Sequence, residues 1–282
     1  MRRWRGLLAV LALAGLTACA TQVPVPTLST SPPVTSMPAG ASSTASSHDA
    51  ANAQASALAA WARVLDRFVN AQGEVDFSAL AQQPADLHTM VRQVAATAPD
   101  SLAGWPTQMA WLINAYNALS MFNVIASGIP ASHAGLAKVV FFVQRQFNIG
   151  GQWLSLYALE NDVIRPLGRS QADPRLHFAL NCSALSCPVL PRQPFTAAGL
   201  EAELDRETRA FFARPDNFRI DPAQRSVWLN EILAFYTEDF VPAPARSLIE
   251  YANRYAPAAA PTDFQVRFTP YDWTVANSRR PR

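Results

Sequence analysis

The chain of 282 residues is poor in lysine and cysteine, and it lacks any long apolar run. Lys138 is its sole lysine, a bias to which no function attaches, and its three cysteines are Cys19, Cys182 and Cys187. No apolar stretch reaches the roughly 20 residues that a membrane-spanning helix needs. A Gly-rich phosphate loop, a Gly-x-Ser-x-Gly turn and a His-Glu-x-x-His motif are all missing. Those gaps remove the usual sequence marks of nucleotide binding, α/β-hydrolase chemistry and zinc proteolysis.

What is present begins at the N-terminus. Arg2, Arg3 and Arg5 precede a short apolar stretch, Leu7 to Leu16, and small residues then lead into Cys19. That order is the layout of a secretory signal peptide. Leu16-Thr17-Ala18-Cys19 resembles the bacterial lipobox, which implies that residues 1–18 are removed and that Cys19 carries a diacylglyceryl group. Further acylation with a palmitate-type chain would make the anchoring stable, where one chain is marginal. Arg2-Arg3 alone is a weak hint of a twin-arginine signal. Ala20, in place of an Asp, leans towards the outer membrane, with the domain facing the periplasm. The full chain has 23 basic and 21 acidic residues. Loss of the three N-terminal arginines leaves 20 against 21, so the near-neutral mature chain offers nothing for nucleic-acid binding. Residues 19–55 are almost wholly Ala, Ser, Thr, Pro, Val and Gly, which predicts a disordered tether. Residues 56–282 hold enough apolar and aromatic side chains for one globular domain.

Within that domain, helical spacing marks Ser56 to Asn70 and again Leu87 to Val94. A third helix opens at Pro106 and stops at Gly128. It is apolar on nearly every side, which predicts burial. Val139 to Val143 and Arg175 to Cys182 read as strands. Gly150-Gly151 and Asp221-Pro222 read as hairpin turns. Ser155 caps a helix ending before Pro166, and helices follow at about 231–240 and 246–254. The expectation is an α+β fold: a single helix-rich domain with a small, mainly antiparallel sheet in the middle of the chain.

The densest chemistry lies in Asp173-Pro174-Arg175-Leu176-His177-Phe178-Ala179-Leu180-Asn181-Cys182-Ser183-Ala184-Leu185-Ser186-Cys187-Pro188. With Trp111-Leu112-Ile113-Asn114-Ala115-Tyr116-Asn117-Ala118-Leu119, Ser155-Leu156-Tyr157-Ala158-Leu159-Glu160, Gly73-Glu74-Val75-Asp76-Phe77 and Tyr271-Asp272-Trp273, it resembles the family called domain of unknown function 547. The resemblance covers about residues 58–278. It implies architecture and no defined activity. Some members are joined to glutaredoxin-like domains, which hints at thiol chemistry.

Asn114 and Asn117 share a face of the third helix. Their amides require partners, because an unpaired buried polar group costs about 1–3 kcal/mol. They either cap loops or orient a substrate or an imidazole. Glu160 falls in an apolar stripe and requires a donor, for which His177 and Arg175 are candidates. On a strand, His177 and Asn181 would share one face and Cys182 the other. A Cys182–His177 nucleophile pair would then need a bulge, whereas Cys187 can fold back over the His177 face. The cysteines form a disulfide if residues 183–186 turn. Otherwise they are free thiols, or zinc ligands with His177, though no fourth ligand is evident and no metal or cofactor is assigned. A papain-like or transglutaminase-like site would place a Cys at the start of the buried helix, where there is none. Two functions remain open. One is an envelope domain that binds a peptide, glycan or protein partner. The other is a thiol-dependent enzyme using His177 with Cys182 or Cys187, for acyl transfer or thiol–disulfide exchange. Either way, His177 should join a buried polar cluster with at least one of Asn114, Asn117, Glu160 and Cys187.

Overall fold

The computed structural model describes residues 20–27 and 47–279. The expected signal peptide and Cys19 lie outside the described residues. Strand β1 (Thr21–Gln22) and the first nine residues of helix α1 (Ser47–Phe68) fall inside the expected tether. Val23 is buried, and residues 47–55 belong to a helix that starts nine residues earlier than its spacing suggested. Ala57, Trp61, Val64, Leu65 and Phe68 line the buried face of α1. Helix α2 (Phe77–Gln82) is capped by Asp76, whose carboxylate accepts from the Ala79 amide. Helix α3 (Ala85–Ala96) buries Leu87, Met90, Val91 and Val94 against α1.

These helices surround α4 (Trp105–Ala126), which has Pro106 in its first turn and is followed by Gly128 at φ +76°. Residues 109–124 are all buried, as the all-round apolar sequence requires. The segment read as a strand at 139–143 is helical instead. Helix α5 (Leu136–Val139) runs into a wider π-helical turn at Val140–Gln144. That turn buries Phe141 and exposes Val140 and Val143.

Strands β2 (Arg145–Ile149) and β3 (Gln152–Ser155) form the expected hairpin, and β1 adds to β2 in parallel, with Thr21 opposite Arg145. Ser155 caps α6 (Leu156–Ala158) through the Ala158 amide. A π-helical turn at Leu159–Ile164 leads into α7 (Arg165–Arg169). Pro166 therefore lies within the helical run, just after the π-helical turn, rather than following a helix. The expected strand at 175–182 is a 3-10 turn at Pro174–Phe178, with Asp173 accepting from the Arg175 amide at its start.

After α8 (Leu200–Phe212), strands β4 (Phe218–Asp221) and β5 (Ser226–Asn230) make the second expected hairpin. Short helices α9 (Ile232–Phe235), α10 (Thr237–Phe240) and α11 (Leu248–Ala252) follow. Strand β6 (Gln265–Thr269) pairs with β5 in parallel. The class is α+β as expected, but the strands form two small mixed sheets rather than one. One apolar core surrounds α4, and a second, rich in phenylalanine, lies between α8, β5 and α11.

Residues 271–278 tie distant parts together. The amides of His133, Leu185 and Val75 donate to the carbonyls of Trp273, Thr274 and Ala276, and the Ala276 amide donates to Ser183.

The β2–β3 turn gives a contrast between neighbours. A Cβ at Gly150 (φ +57°) would overlap the Ala98 backbone, while one at Gly151 (φ +89°) meets open space. Gly150→Ala should cost about 3 kcal/mol through that clash, and Gly151→Ala only about 1 kcal/mol, from backbone strain. Urea titration followed by circular dichroism checks the order; equal losses at both positions would contradict the packing.

Candidate functional site

The polar residues of α4 recur every third position, as Asn114, Asn117, Ser120 and Asn123, and all are buried. The first three hold loop segments, and Asn123 holds the π-helical turn. Asn114 donates to the Phe195 carbonyl at 2.8 Å and accepts from the Phe195 amide and the Trp61 indole. Asn117 donates to the Ala179 carbonyl at 3.0 Å and accepts from the Asn181 amide at 2.8 Å. Asn181 in turn bonds the Pro188 carbonyl and the Ser183 amide. The Ser120 hydroxyl meets that of Ser183, and Asn123 holds the Phe141 carbonyl. Asn114, Asn117 and Asn181 are thus loop clamps, the first of the two roles open to them.

The clamped loop carries the cysteines. Ser183 adopts φ +63°, and the Cys187 amide donates to Ala184, so the chain turns between the two residues. Cys182 and Cys187 lie 6.2 Å apart at Cα and are joined as a disulfide. The Cys182 amide and the Tyr271 hydroxyl each donate to the Cys187 sulfur at 3.1 Å. Among the described residues, no cluster of three His, Cys, Asp or Glu side chains suits a metal ion.

Beside the disulfide opens a small cavity of about 60 Å³. Glu160, His177 and Cys182 share its wall with Tyr116, Tyr236, Tyr271, Trp273 and other apolar side chains. His177 and Glu160 thus line one cavity. Asn114, Asn117, Asn181 and Cys187 do not line the cavity. The hydrogen-bond partner of His177 is one that the sequence reading missed, Asp239 on α10, at 2.8 Å from Nε2. Asp239 lies in the run Phe235-Tyr236-Thr237-Glu238-Asp239-Phe240, and an acid in so aromatic a helix was the available signal. Tyr236 stacks on the imidazole with ring centres 4.3 Å apart. Arg165 and Arg169 also bond Asp239, at 2.8 and 2.6 Å.

Burial acts to raise the Asp239 carboxyl, but hydrogen bonds from His177, Arg165 and Arg169 outweigh it and hold the group well below the usual carboxylate range. Asp239 is therefore ionised and can only accept, so the Nε2 proton belongs to His177. Burial, prevailing over Asp239, pushes the imidazole below its ordinary value, so the ring is neutral and Nδ1 is bare. Nδ1 is buried and has no partner among the described residues. Burial and then the Glu160 charge raise the phenols of Tyr116, Tyr236 and Tyr271, which stay protonated. Tyr116 donates to Glu160 at 2.9 Å. Among the described residues, no Lys, Arg or His nitrogen lies within 4 Å of Glu160, whereas Asp239 has three such partners.

Residues 100–212 match the model of a family described as "Protein of unknown function, DUF547". The match takes in α4, Glu160, His177 and both cysteines, and stops short of Asp239, Tyr271 and Trp273. No curated protein and no solved structure matches the chain.

His133 is a second buried imidazole. It is packed 3.8 Å from Phe141 between ring centres, and neither nitrogen has a partner among the described residues. Burial pushes it down from 6.5 to about 4. The unfolded chain takes up a proton near pH 6.5 that the folded chain refuses, so stability falls as pH drops from about 6.5 towards 4. His177 acts in the same sense. His133→Phe should remove on the order of 3 kcal/mol of that acid dependence, at 1.36 kcal/mol per unit. Chemical denaturation at pH 7 and pH 4.5 measures it; an unchanged pH slope in the variant would refute the assignment.

Proposed function

We propose that the chain is a lipid-anchored binding domain of the bacterial cell envelope, holding a peptide, glycan or protein partner in the aromatic cavity beside the disulfide. The observation that carries this reading is the Cys182–Cys187 bridge, which leaves neither sulfur free as a nucleophile while the cavity beside it stays open. Aromatic walls of Tyr236, Tyr271 and Trp273 suit stacking on a partner's rings or apolar side chains.

The order of basic residues, apolar stretch and Leu16-Thr17-Ala18-Cys19 supports the anchor, with an outer-membrane, periplasm-facing location. Leu136, Val140 and Val143 expose apolar side chains at helical spacing, a face suited to lie near a membrane surface. Intact mass of the membrane fraction should show a mature chain that starts at a lipid-modified Cys19. A Cys19→Ala variant that is still processed and membrane-bound would remove the anchor from the reading.

A second reading, a thiol-dependent enzyme, has one observation in its favour. Asp239 holds His177 from behind in the same cavity as Cys182, as an orienting carboxylate does for a catalytic base. One experiment separates the two. With a photoreactive phenylalanine analogue in place of Phe235, irradiation of living cells should give a discrete adduct that Trp273→Ala abolishes. Binding predicts an adduct of equal yield with and without Cys182→Ser and Cys187→Ser, whereas thiol chemistry predicts that the double variant, unable to turn its substrate over, accumulates more of it. Absence of any adduct from well-expressed protein would sink the binding reading.

A further inference from the structure

The unused chemistry of the cavity is of one kind. His177 Nδ1 is a bare lone pair, because Nε2–H is committed to Asp239 and burial keeps the ring neutral. Glu160 receives the Tyr116 hydroxyl on Oε2 and has no cation within 4 Å among the described residues. The Tyr271 hydroxyl is committed to the Cys187 sulfur. Around these stand the electron-rich faces of Tyr236, Tyr271, Trp273, Phe142 and Phe235. An acceptor ligand would meet lone pairs and negative charge. A ligand that only donates and carries positive charge would meet a carboxylate, an imidazole nitrogen and aromatic rings.

We infer that the cavity receives a primary ammonium group at the end of an aliphatic side chain, as on a peptide with a free lysine-type amine. The inference rests on the reading of this cavity as a binding site and names the chemistry of its ligand. The ammonium has three donors and no acceptor, which answers Glu160 and His177 Nδ1 together. Its methylenes fit the ring walls, which a hydrated inorganic cation does not use. Two of the rings already take cations from the protein itself: Lys138 Nζ lies 3.6 Å over Trp273 and Arg165 Cζ lies 4.6 Å over Tyr236. Neither residue lines the cavity, so both approach from outside it. The two buried acids are also handled differently. Asp239 is neutralised internally by Arg165 and Arg169, while Glu160 is left with phenols. A buried carboxylate without a countercharge is costly to maintain, and a cationic ligand removes that cost.

The test uses the full chain in detergent micelles with two probes, Nα-acetyl-lysine methylamide and the same compound acetylated at Nε. Saturation-transfer NMR should show binding of the free amine, with the strongest transfer at its ε-methylene, and at least a tenfold weaker affinity for the acetylated probe. Glu160→Gln retains the acceptor for Tyr116, and it should weaken the free amine at least tenfold while leaving circular dichroism unchanged and the thermal midpoint equal or raised. Equal binding of both probes would overturn the ammonium while leaving partner binding in place. Binding of neither probe would overturn the inference and leave partner binding to the photocrosslinking result. The comparison of probes on the unaltered protein stands even if the variant misfolds.

Discussion

Helix α4 has no side that reaches water, and the rest of the structure depends on how its polar side chains are satisfied. Residues three apart on a helix are displaced by about 60° around its axis. Asn114, Asn117, Ser120 and Asn123 therefore sweep about half the circumference. Each meets a different segment, near 195, 179–181, 183 and 141. In a dry interior the alternative to each bond is an unpaired amide or hydroxyl. The helix thus fixes irregular chain at depth, where loops are seldom found. The cavity is made largely from such chain, and its geometry is only as firm as these clamps.

The second constraint is electrostatic. Asp239 and Glu160 are both buried and both lie close to His177. One is surrounded by guanidinium groups and the other by phenols. Arg165 bonds Asp239 and Glu238 together, and half-exposed Arg169 closes the network at the surface. That arrangement fixes the His177 tautomer and leaves a neutral base with its free nitrogen in an apolar surround. The same ring can serve recognition or proton transfer, and the state of the neighbouring sulfurs decides which is open to it.

Much of this was legible in the sequence, and where it was not there is a physical reason. The burial of α4, the hairpins at Gly150-Gly151 and Asp221-Pro222, and the polar demand of Asn114, Asn117, Glu160 and His177 all follow from local pattern. The segments 139–143 and 175–182 were read as strands because short apolar runs carry no period that separates strand from helix. That error placed Asn181 beside His177, whereas a 3-10 turn points them apart. The α1 start was missed because Ser47 to Ser56 is mostly alanine, serine and other small residues with no apolar stripe. These are helix-compatible side chains that also occur in linkers. Asp239, Tyr271 and Trp273 lie 62 to 96 residues from His177, and no local signal reports a pairing at that distance.

The segment 271–278 has a consequence in time. It supplies Tyr271 and Trp273 to the cavity and bonds to residues 75, 131, 133, 183 and 185. Contacts of such long sequence separation form late, because the loop entropy they cost must be met by structure already in place. The helices and most of both apolar cores, Val275 and Tyr271 apart, can assemble from residues that emerge earlier from the ribosome. The cavity wall is complete only after the last of these residues has docked. A chain cut short by a dozen residues would retain its helices while lacking two of the aromatic side chains that wall the cavity, so an intact cavity doubles as a report that synthesis ran to completion.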